Sequence, residues 1–439
     1  MTDAAQNAYF TAGVESLNAE ILKVTAPSRQ PYRAILSNGL AAIFEQSRAF
    51  PLIGVSLVVR AGCVDERSFR CPAAAHIVEH LVLRRDRFPK ELQWLGAEVH
   101  GRTYFDRTEF SLSTSSDNLP QALAVILCLA TSQKLDGSAF SLEKDIVAQE
   151  KDLLNRHEDE VLSNLFWDFA FPDRDVQQLR VAERPETSFD GVRSFHEQEY
   201  KPSNMVCSVA GNLNPEDIER LAEDLERIES EDQLVRGEFH TRHSPASICE
   251  SEPKTLKVET NSKITRWLSG YIVEPFSLDR IHELDILAAV INHRTKSLAA
   301  QSSLLRESLL NLNSFFYPLR GKGLLLIKSA FKPEATQEVQ YILRKVITEI
   351  KTGQLGEAEL TFAKARLIHR VLSSYFLRDR ARTLAINEFR GLPLDFDALY
   401  TESVKSISRA HILLGAQNYL DDARERACFL VPRQGRITN

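Results

Sequence analysis

Apolar positions near the start of the chain follow the pattern of β-strands. Short apolar runs at 34–36 and 40–44 flank an Asn38-Gly39 pair, and a longer run at 52–59 follows. β-rich runs on either side of Asn-Gly are typical of a hairpin, so we predict a hairpin with a further strand behind it. Strand-like patterns return at 97–113 and 205–210.

Helical spacing separates these strands. Apolar residues that recur every three or four positions predict amphipathic helices. Asn214 precedes the last of them and is a suitable N-cap. The predicted helices cover 73–83, 88–95, 119–132, 139–171 and 215–229.

The same order of elements occurs a second time after a polar stretch. Residues 230–256 lack periodicity and predict a linker. Beyond it we predict strands at 265–273, 323–330 and 427–431, and helices at 279–292, 297–310, 333–352, 358–377 and 410–420. The repeat favours an α+β fold with two related domains, residues 1–229 and 257–439, each a mainly antiparallel sheet covered by helices.

Composition narrows the class of protein. The chain has 439 residues, of which 43% are hydrophobic and 26% charged, as in soluble globular proteins. A net charge of −6 argues against a nucleic-acid partner. No apolar run reaches the length of a membrane span, and the first twenty residues lack the apolar core of a signal peptide. We therefore expect a cytoplasmic protein without a membrane partner.

Candidate chemistry is concentrated in one predicted helix. His76, Glu79 and His80 form an H-x-x-E-H pattern, which places both imidazoles and the carboxylate on one helical face. Two imidazoles and one further ligand can bind a catalytic Zn²⁺, with the intervening carboxylate as general base. A surface pair of histidines is the alternative. The flanking residues are apolar, however, and buried polar groups need a partner, which favours metal ligation.

The third ligand is left open by spacing alone. Glu143 and Glu150 lie seven residues apart on one face of the predicted helix 139–171, and either could complete the site. Both could instead be solvated surface charges.

At this point the chain resembles the M16 metallopeptidases, the pitrilysin, insulysin and mitochondrial processing peptidase group. The resemblance rests on LSNGLAAIFEQ, VVRAGCVDE, AAAHIVEHLVLR, SLEKDIVAQEKDLL and EYKPSNMVCSVAGNL. It implies that His76, His80 and Glu150 bind zinc, with Glu143 beside the site and Glu79 as the catalytic base. It also implies two related domains that form half of a clamshell around a chamber, where a peptide substrate adds to a sheet edge.

Two departures from the family pattern bear on function. The stretch LGAEVHGRTYFDRTEF resembles the family's substrate-side segment, but His100-Gly101 replaces Asn-Ala before Thr103. These three residues are therefore our candidates for substrate binding, together with Arg306, which matches a family arginine. Self-sufficient members carry a tyrosine seven residues after that arginine, where this chain has Asn313.

The resemblance thus implies the zinc-bearing subunit of a heterodimer with a homologous partner chain. We expect a zinc endopeptidase that cleaves peptides or unfolded segments, as in maturation of a ribosomally made peptide. A self-sufficient homodimeric oligopeptidase and a non-catalytic structural or peptide-binding subunit remain alternatives. The ligand set would also accept manganese or cobalt.

Overall fold

Two β-sheets and their helices make up the computed structural model. It describes residues 31–84, 97–104, 106–130, 135–154, 157–170, 186–228, 254–274, 277–319, 322–374 and 377–433. The strands are β1 Tyr32–Ile35, β2 Ala41–Gln46, β3 Leu52–Val59, β4 Glu98–Thr103, β5 Thr108–Ser115, β6 Met205–Gly211, β7 Thr255–Thr260, β8 Thr265–Val273, β9 Leu309–Leu319, β10 Lys322–Phe331 and β11 Glu425–Pro432.

The first sheet has the strand order β1-β2-β6-β3-β5-β4. The predicted hairpin is confirmed: β1 and β2 are antiparallel, with Ile35 opposite Ala41 across a turn in which Gly39 has φ 86°. A residue with positive φ is a common requirement of tight turns and favours glycine. The strand β6 lies between β2 and β3 and runs parallel to β2.

The second sheet has the strand order β7-β11-β8-β10-β9. Its pairings run parallel, antiparallel, antiparallel and antiparallel from β7 to β9. The first sheet shows the same sequence of pairings from β2 to β4. The predicted α+β class with two related sheets is therefore present, and we call the parts of the chain around the first and second sheets the first and second halves.

Fourteen α-helices lie in the described residues. They are α1 Glu66–Phe69, α2 Ala74–Leu83, α3 Leu119–Ala130, α4 Phe140–Leu154, α5 Glu158–Ala170, α6 Phe189–Glu199, α7 Pro215–Glu226, α8 Ile281–Gln301, α9 Ser303–Ser308, α10 Thr336–Lys351, α11 Glu357–Ser374, α12 Leu377–Phe389, α13 Phe396–Ser406 and α14 Arg409–Tyr419. None of these helices combines the length and apolarity that a bilayer span requires.

Several predicted elements need correction. The segment 139–171 contains two helices, α4 and α5, rather than one. The predicted helix 297–310 contains the end of α8, all of α9 and the start of β9, because Ser302 ends one helix and caps the next by accepting a hydrogen bond from Leu305 N. The predicted helix 88–95 lies outside the described residues, as does most of the predicted linker, and β7 begins at Thr255.

The two halves exchange one helix each. On one face, each sheet packs against helices of its own half. On the other face of the first sheet, Ala381, Leu384 and Ala385 of α12 cover residues of β2, β3 and β6. Conversely, Leu162 and Phe166 of α5 cover β8, β10 and β11 of the second sheet.

Close packing and buried charges fix these exchanged helices. A Cβ atom on Gly270 of β8 would lie 2.5 Å from Phe166 Cζ, so glycine is needed for this approach. On α12, Arg380 is 3% exposed and forms ion pairs with Glu45 of β2 and with Asp397. Because buried guanidinium and carboxylate groups require partners, this pairing holds α12 of the second half against the first sheet.

Candidate metal centre

The H-x-x-E-H pattern lies on α2, as predicted from its spacing. Ile77, Val78 and Leu81 are buried in the core of the first half, which orients the helix. The opposite, more exposed face presents the two histidines, whose side chains are 29% and 16% exposed for His76 and His80. The apolar residues between the histidines therefore determine which way the imidazoles face.

The first turn of α2 is held by a carboxylate that the sequence analysis did not identify. Ala73, just before the helix, has φ 61°, which is unusual for a residue with a side chain. Glu66 accepts hydrogen bonds from Ala73 N at 2.9 Å and Ala75 N at 3.0 Å. Burial raises the pKa of Glu66 to about 7, although these two hydrogen bonds oppose the shift.

Three candidate ligand atoms converge on one point. Glu150 Oε2 lies 3.5 Å from His76 Nε2 and 3.4 Å from His80 Nε2. These separations exceed a good hydrogen bond. They match the spacing of about 3.4 Å expected for two ligands about 2.1 Å from one tetrahedral zinc ion. All three ligand atoms lie within 4.8 Å of one another, so this donor set fits a zinc ion.

Glu143 occupies a different place from Glu150. Its Oε2 lies 3.3 Å from His80 Nδ1, on the side of the ring that faces away from Glu150. A carboxylate at this nitrogen fixes the ring so that the other nitrogen faces a metal. The packing of α4 against α2 thus places Glu150 near the Nε2 atoms of both histidines and Glu143 behind the His80 ring.

Glu79 is buried beside these groups, with 6% of its surface exposed. Thr103 Oγ1 of β4 donates a hydrogen bond to Glu79 Oε2 at 2.6 Å. Burial raises the pKa of Glu79, and the Thr103 hydrogen bond opposes that shift. Burial lowers the pKa of His76, and the neighbouring His80 adds to this effect.

The strand β4 lies directly against α2. A Cβ atom on Gly101 would lie 2.2 Å from Leu83 Cδ1 and 2.6 Å from Glu79 Oε1, so a larger residue would displace these side chains. Gly101 and Thr103 therefore face α2, while His100 is exposed. Substrate binding by these three residues stays a prediction.

The predicted substrate residue of the second half is separate from this group. Arg306 is exposed on α9. Asn313, at the position of the family tyrosine, lies on β9 and accepts a hydrogen bond from Lys296 Nζ at 3.1 Å. Tyr317 packs edge-on against Trp167 of α5, with ring centroids 5.5 Å apart. The described contacts thus engage Asn313 and Tyr317 within the chain.

Comparison with known proteins identifies the family to which this two-domain fold belongs. The family model "Insulinase (Peptidase family M16)" matches residues 43–178, and "Peptidase M16 inactive domain" matches 187–367. Together they match most of the chain, which belongs to the M16 peptidase family, in its short two-domain form.

Relatives with curated descriptions are distant, and two of those named below match about nine tenths of the chain. An uncharacterized zinc protease of Mycobacterium leprae (strain TN) is 22% identical over 413 residues, 89% of this chain and 91% of its own. The zinc protease PqqE of Helicobacter pylori (strain ATCC 700392 / 26695) is 23% identical over 433 residues, 90% and 92% of the two chains. The mitochondrial-processing peptidase subunit beta of Dictyostelium discoideum is 22% identical over 193 residues, 42% of this chain and 41% of its own.

Solved structures share the fold. A protease from Helicobacter pylori superposes with a TM-score of 0.75 at 20% identity, covering 92% of this chain and 100% of that one. A peptidase M16 inactive domain from Pseudomonas fluorescens gives 0.69 at 16% identity, covering 92% and 98%. At these identities the likeness concerns the fold alone.

Proposed function

We propose that this chain is a zinc-dependent endopeptidase, or the zinc-bearing subunit of one, acting on peptides or unfolded segments. The observation that carries the proposal is the convergence of His76 Nε2 and His80 Nε2 on one oxygen of Glu150, at 3.5 and 3.4 Å. Relatives that are described as zinc proteases support it.

In this proposal His76, His80 and Glu150 hold the zinc ion. When bound, zinc polarises a carbonyl oxygen and lowers the pKa of a water ligand. Glu143 keeps His80 in the orientation that directs Nε2 toward the ion. The 45% exposure of the Glu150 side chain leaves the group open to solvent on one side.

Glu79 is the proposed general base and acid. Thr103 occupies Oε2, which leaves Oε1 to accept a proton from the attacking water. Glu79 then returns that proton to the leaving amine, a role that contributes about 10²–10⁴-fold to the rate of such reactions. The fixed carboxylate and the short contact to Thr103 hold the proton acceptor in one place.

The substrate is proposed to bind at β4. This strand is the last of the first sheet in the described residues, so its outer edge offers backbone groups to an added strand. Binding through the backbone places few demands on peptide sequence. His100, Gly101, Thr103 and Arg306 remain the residues that we propose to contact the substrate.

A homologous partner chain is part of the proposal. Asn313 stands where self-sufficient members carry a tyrosine, so the donor for the developing oxyanion would come from the partner. A homodimer and a non-catalytic peptide-binding subunit are the competing assignments. Cytoplasmic location, a role in peptide maturation and the domain boundaries 1–229 and 257–439 remain predictions within this proposal.

One experiment separates these assignments. Zinc content and cleavage of a mixed fluorogenic peptide library would be measured for the chain, for Glu79→Gln and for the control Glu197→Gln, an exposed residue of α6. We expect about one zinc per chain in all three, with cleavage lost only in Glu79→Gln. Zinc without cleavage in the unmodified chain would exclude a self-sufficient homodimer, and cleavage in the presence of the co-purified partner would then separate the heterodimer from a non-catalytic subunit. A chain that binds no zinc would overturn the proposal.

A further inference from the structure

Four arginines meet where the tip of the β4–β5 hairpin contacts α12. Arg102 is on β4, Arg107 precedes β5 and Arg382 is on α12. Arg390 directly follows Phe389, whose ring centroid lies 5.6 Å from Arg107 Cζ. We call these four residues the arginine cluster. It joins the first half to a helix of the second half, and none of its members belongs to the proposed zinc site.

Two carboxylates and one tyrosine organise part of this cluster. Glu109 accepts from Arg107 Nε and Arg382 Nε, both at 2.7 Å. Asp106 accepts from Arg107 Nη1 at 2.8 Å. The Tyr104 ring lies under the guanidinium groups of Arg107 and Arg102, 4.2 and 5.1 Å from its centroid.

The positive charges exceed the negative ones. Four guanidinium groups face two carboxylates, and each guanidinium has five N–H donors. Within the described part of the chain, neither Arg102 nor Arg390 has a carboxylate at ion-pair distance. Burial, reinforced by the charge of Arg107, lowers the pKa of Arg390, although the charges of Asp106 and Asp285 oppose this shift. The cation would therefore be stabilised by a further anion.

The nearby acid of the second half is already engaged. Asp285 accepts from Arg370 Nη2 at 2.9 Å and from the Tyr400 hydroxyl at 2.6 Å. An incoming anion is consequently the simplest way to balance the excess charge. Arg382, with 38% of its side chain exposed, and the exposed Arg102 leave a route for such a group from solvent.

The cluster lies across β4 from the catalytic candidate. Thr103 contacts Glu79 on one face of the strand, and the adjacent Arg102 side chain lies on the other, because neighbours in a strand point to opposite faces. A peptide added along β4 would likewise direct alternate side chains to the two faces. Those on the Arg102 face would meet the arginine cluster.

We propose that the arginine cluster binds a carboxylate of the peptide substrate, either an acidic side chain or the C-terminal carboxylate. Planar guanidinium groups bind carboxylates in paired hydrogen bonds, which makes arginine suited to this role. The inference rests on the proposed peptidase function and adds a substrate class to it. The competing role is a structural clamp between the halves.

The test uses matched peptides. Four versions of one fluorogenic peptide are made. They carry Glu or Gln at a central position, and each of these two has either a free or an amidated C-terminus. Cleavage by the chain, with its partner where one is required, is measured for the unmodified protein, Arg390→Gln, Arg102→Gln and the control Arg409→Gln, an exposed residue of α14. Binding of the same peptides to Glu79→Gln is measured by fluorescence anisotropy.

We expect peptides with the recognised carboxylate to have a KM at least about tenfold lower, the effect of one charge-assisted pair. Arg390→Gln and Arg102→Gln should remove this preference and leave the KM for the neutral, amidated peptide unchanged. The Glu/Gln and free/amidated comparisons identify which carboxylate is recognised. Arg102→Gln keeps the test decisive if Arg390→Gln does not fold, because Arg102 is exposed.

Two results would overturn the inference. One is equal KM and equal affinity for all four peptides in the unmodified protein. The other is an equal loss of cleavage and affinity for acidic and neutral peptides in both variants, which is what a structural clamp predicts. If no peptide is cleaved, the anisotropy measurement still decides on the cluster, while the proposed peptidase function fails separately.

Discussion

The two halves of the molecule share one topology and differ at one junction of two helices. In the first half, α2 lies between β3 and β4, and α4 is the second helix after β5. In the second half, α8 lies between β8 and β9, and α11 is the second helix after β10. By order in the chain, α2 with α4 and α8 with α11 are equivalent pairs.

The junctions are filled in different ways. Between α8 and α11, Arg294 Nε donates to Glu359 Oε1 at 2.8 Å, and the Arg294 side chain is only 11% exposed. Between α2 and α4, two imidazoles stand 3.4–3.5 Å from Glu150 without forming close hydrogen bonds. In the second half the chain itself supplies the cation that pairs with the carboxylate, whereas in the first half we propose that a metal ion does so. Chemistry therefore depends on the site and not on the shared fold.

Removing an imidazole from each half is expected to give the largest contrast. His80→Gln should lose bound metal and lower peptide cleavage by more than about 100-fold, because even indirect contacts to a metal ligand are worth 10–100-fold. His293→Gln, next to Arg294 on α8, should leave both unchanged. Metal content by elemental analysis and cleavage rates check this. If His80→Gln retained its metal, His80 would not be a ligand, and the contrast drawn between the two helix junctions would fail.

The halves themselves are joined by a buried ion network. Arg380→Ala should lower the free energy of unfolding by about 3–5 kcal/mol, because it leaves Glu45 and Asp397 buried without their cation. Arg409→Ala, which breaks an exposed pair with Glu357, should cost less than about 1 kcal/mol. Urea unfolding followed by circular dichroism and fluorescence compares the two. Similar costs for both variants would contradict a buried link.

The start of α2 should make stability depend on pH. The pKa of Glu66, raised to about 7 by burial, lies above its usual value of about 4.3, so the folded protein holds this proton more tightly than the unfolded chain. This contribution is complete below about pH 4 and is lost as the pH rises through 7, by at most about 4 kcal/mol.

Urea unfolding between pH 4.5 and 7.5 measures this slope. Glu66→Gln should flatten it, since glutamine does not titrate in this range. Glu338→Gln, on α10 of the second half, should keep the slope of the unmodified chain. An unchanged slope in Glu66→Gln would assign the pH dependence to other groups.

The smallest effect is expected at the carboxylate behind His80. Glu143→Gln should weaken zinc binding by about 10–100-fold, because the ring loses a charged partner that fixes its orientation. Glu359→Gln, its counterpart in the second half, should leave zinc affinity unchanged. Competition with a chromogenic chelator gives both affinities. Equal zinc affinity in Glu143→Gln and the unmodified chain would show that α4 contributes only Glu150.

Local patterns carried most of what the sequence could predict. The hairpin at Asn38-Gly39 and the helical spacing of His76 and His80 depend on neighbours in sequence, and both elements form as expected. The choice between Glu143 and Glu150 required the packing of α4 on α2, which spacing alone does not encode. The strand β9 was missed because its pairing with β10, rather than its own sequence, determines its conformation.

Long-range arrangements were not predictable in this way. The helix α12 was not predicted, and the apolar residues of α5 indicate burial but not the sheet that this helix covers. Likewise, the arginine cluster draws on residues from 102 to 390, and each arginine taken singly resembles a solvated surface charge. Only the folded chain brings them to one place.

The exchange of α5 and α12 also determines when the outer face of the first sheet can be covered during synthesis. Every described strand of the first sheet has been made by residue 211, but the helix that covers its outer face ends at residue 389. Until then, apolar residues such as Ile43, Val58 and Val206 have no cover on that side. Folding of this region waits for these distant contacts. The apolar face therefore stays exposed on the nascent chain for a long interval, and exposed apolar surface of this kind is what chaperones bind.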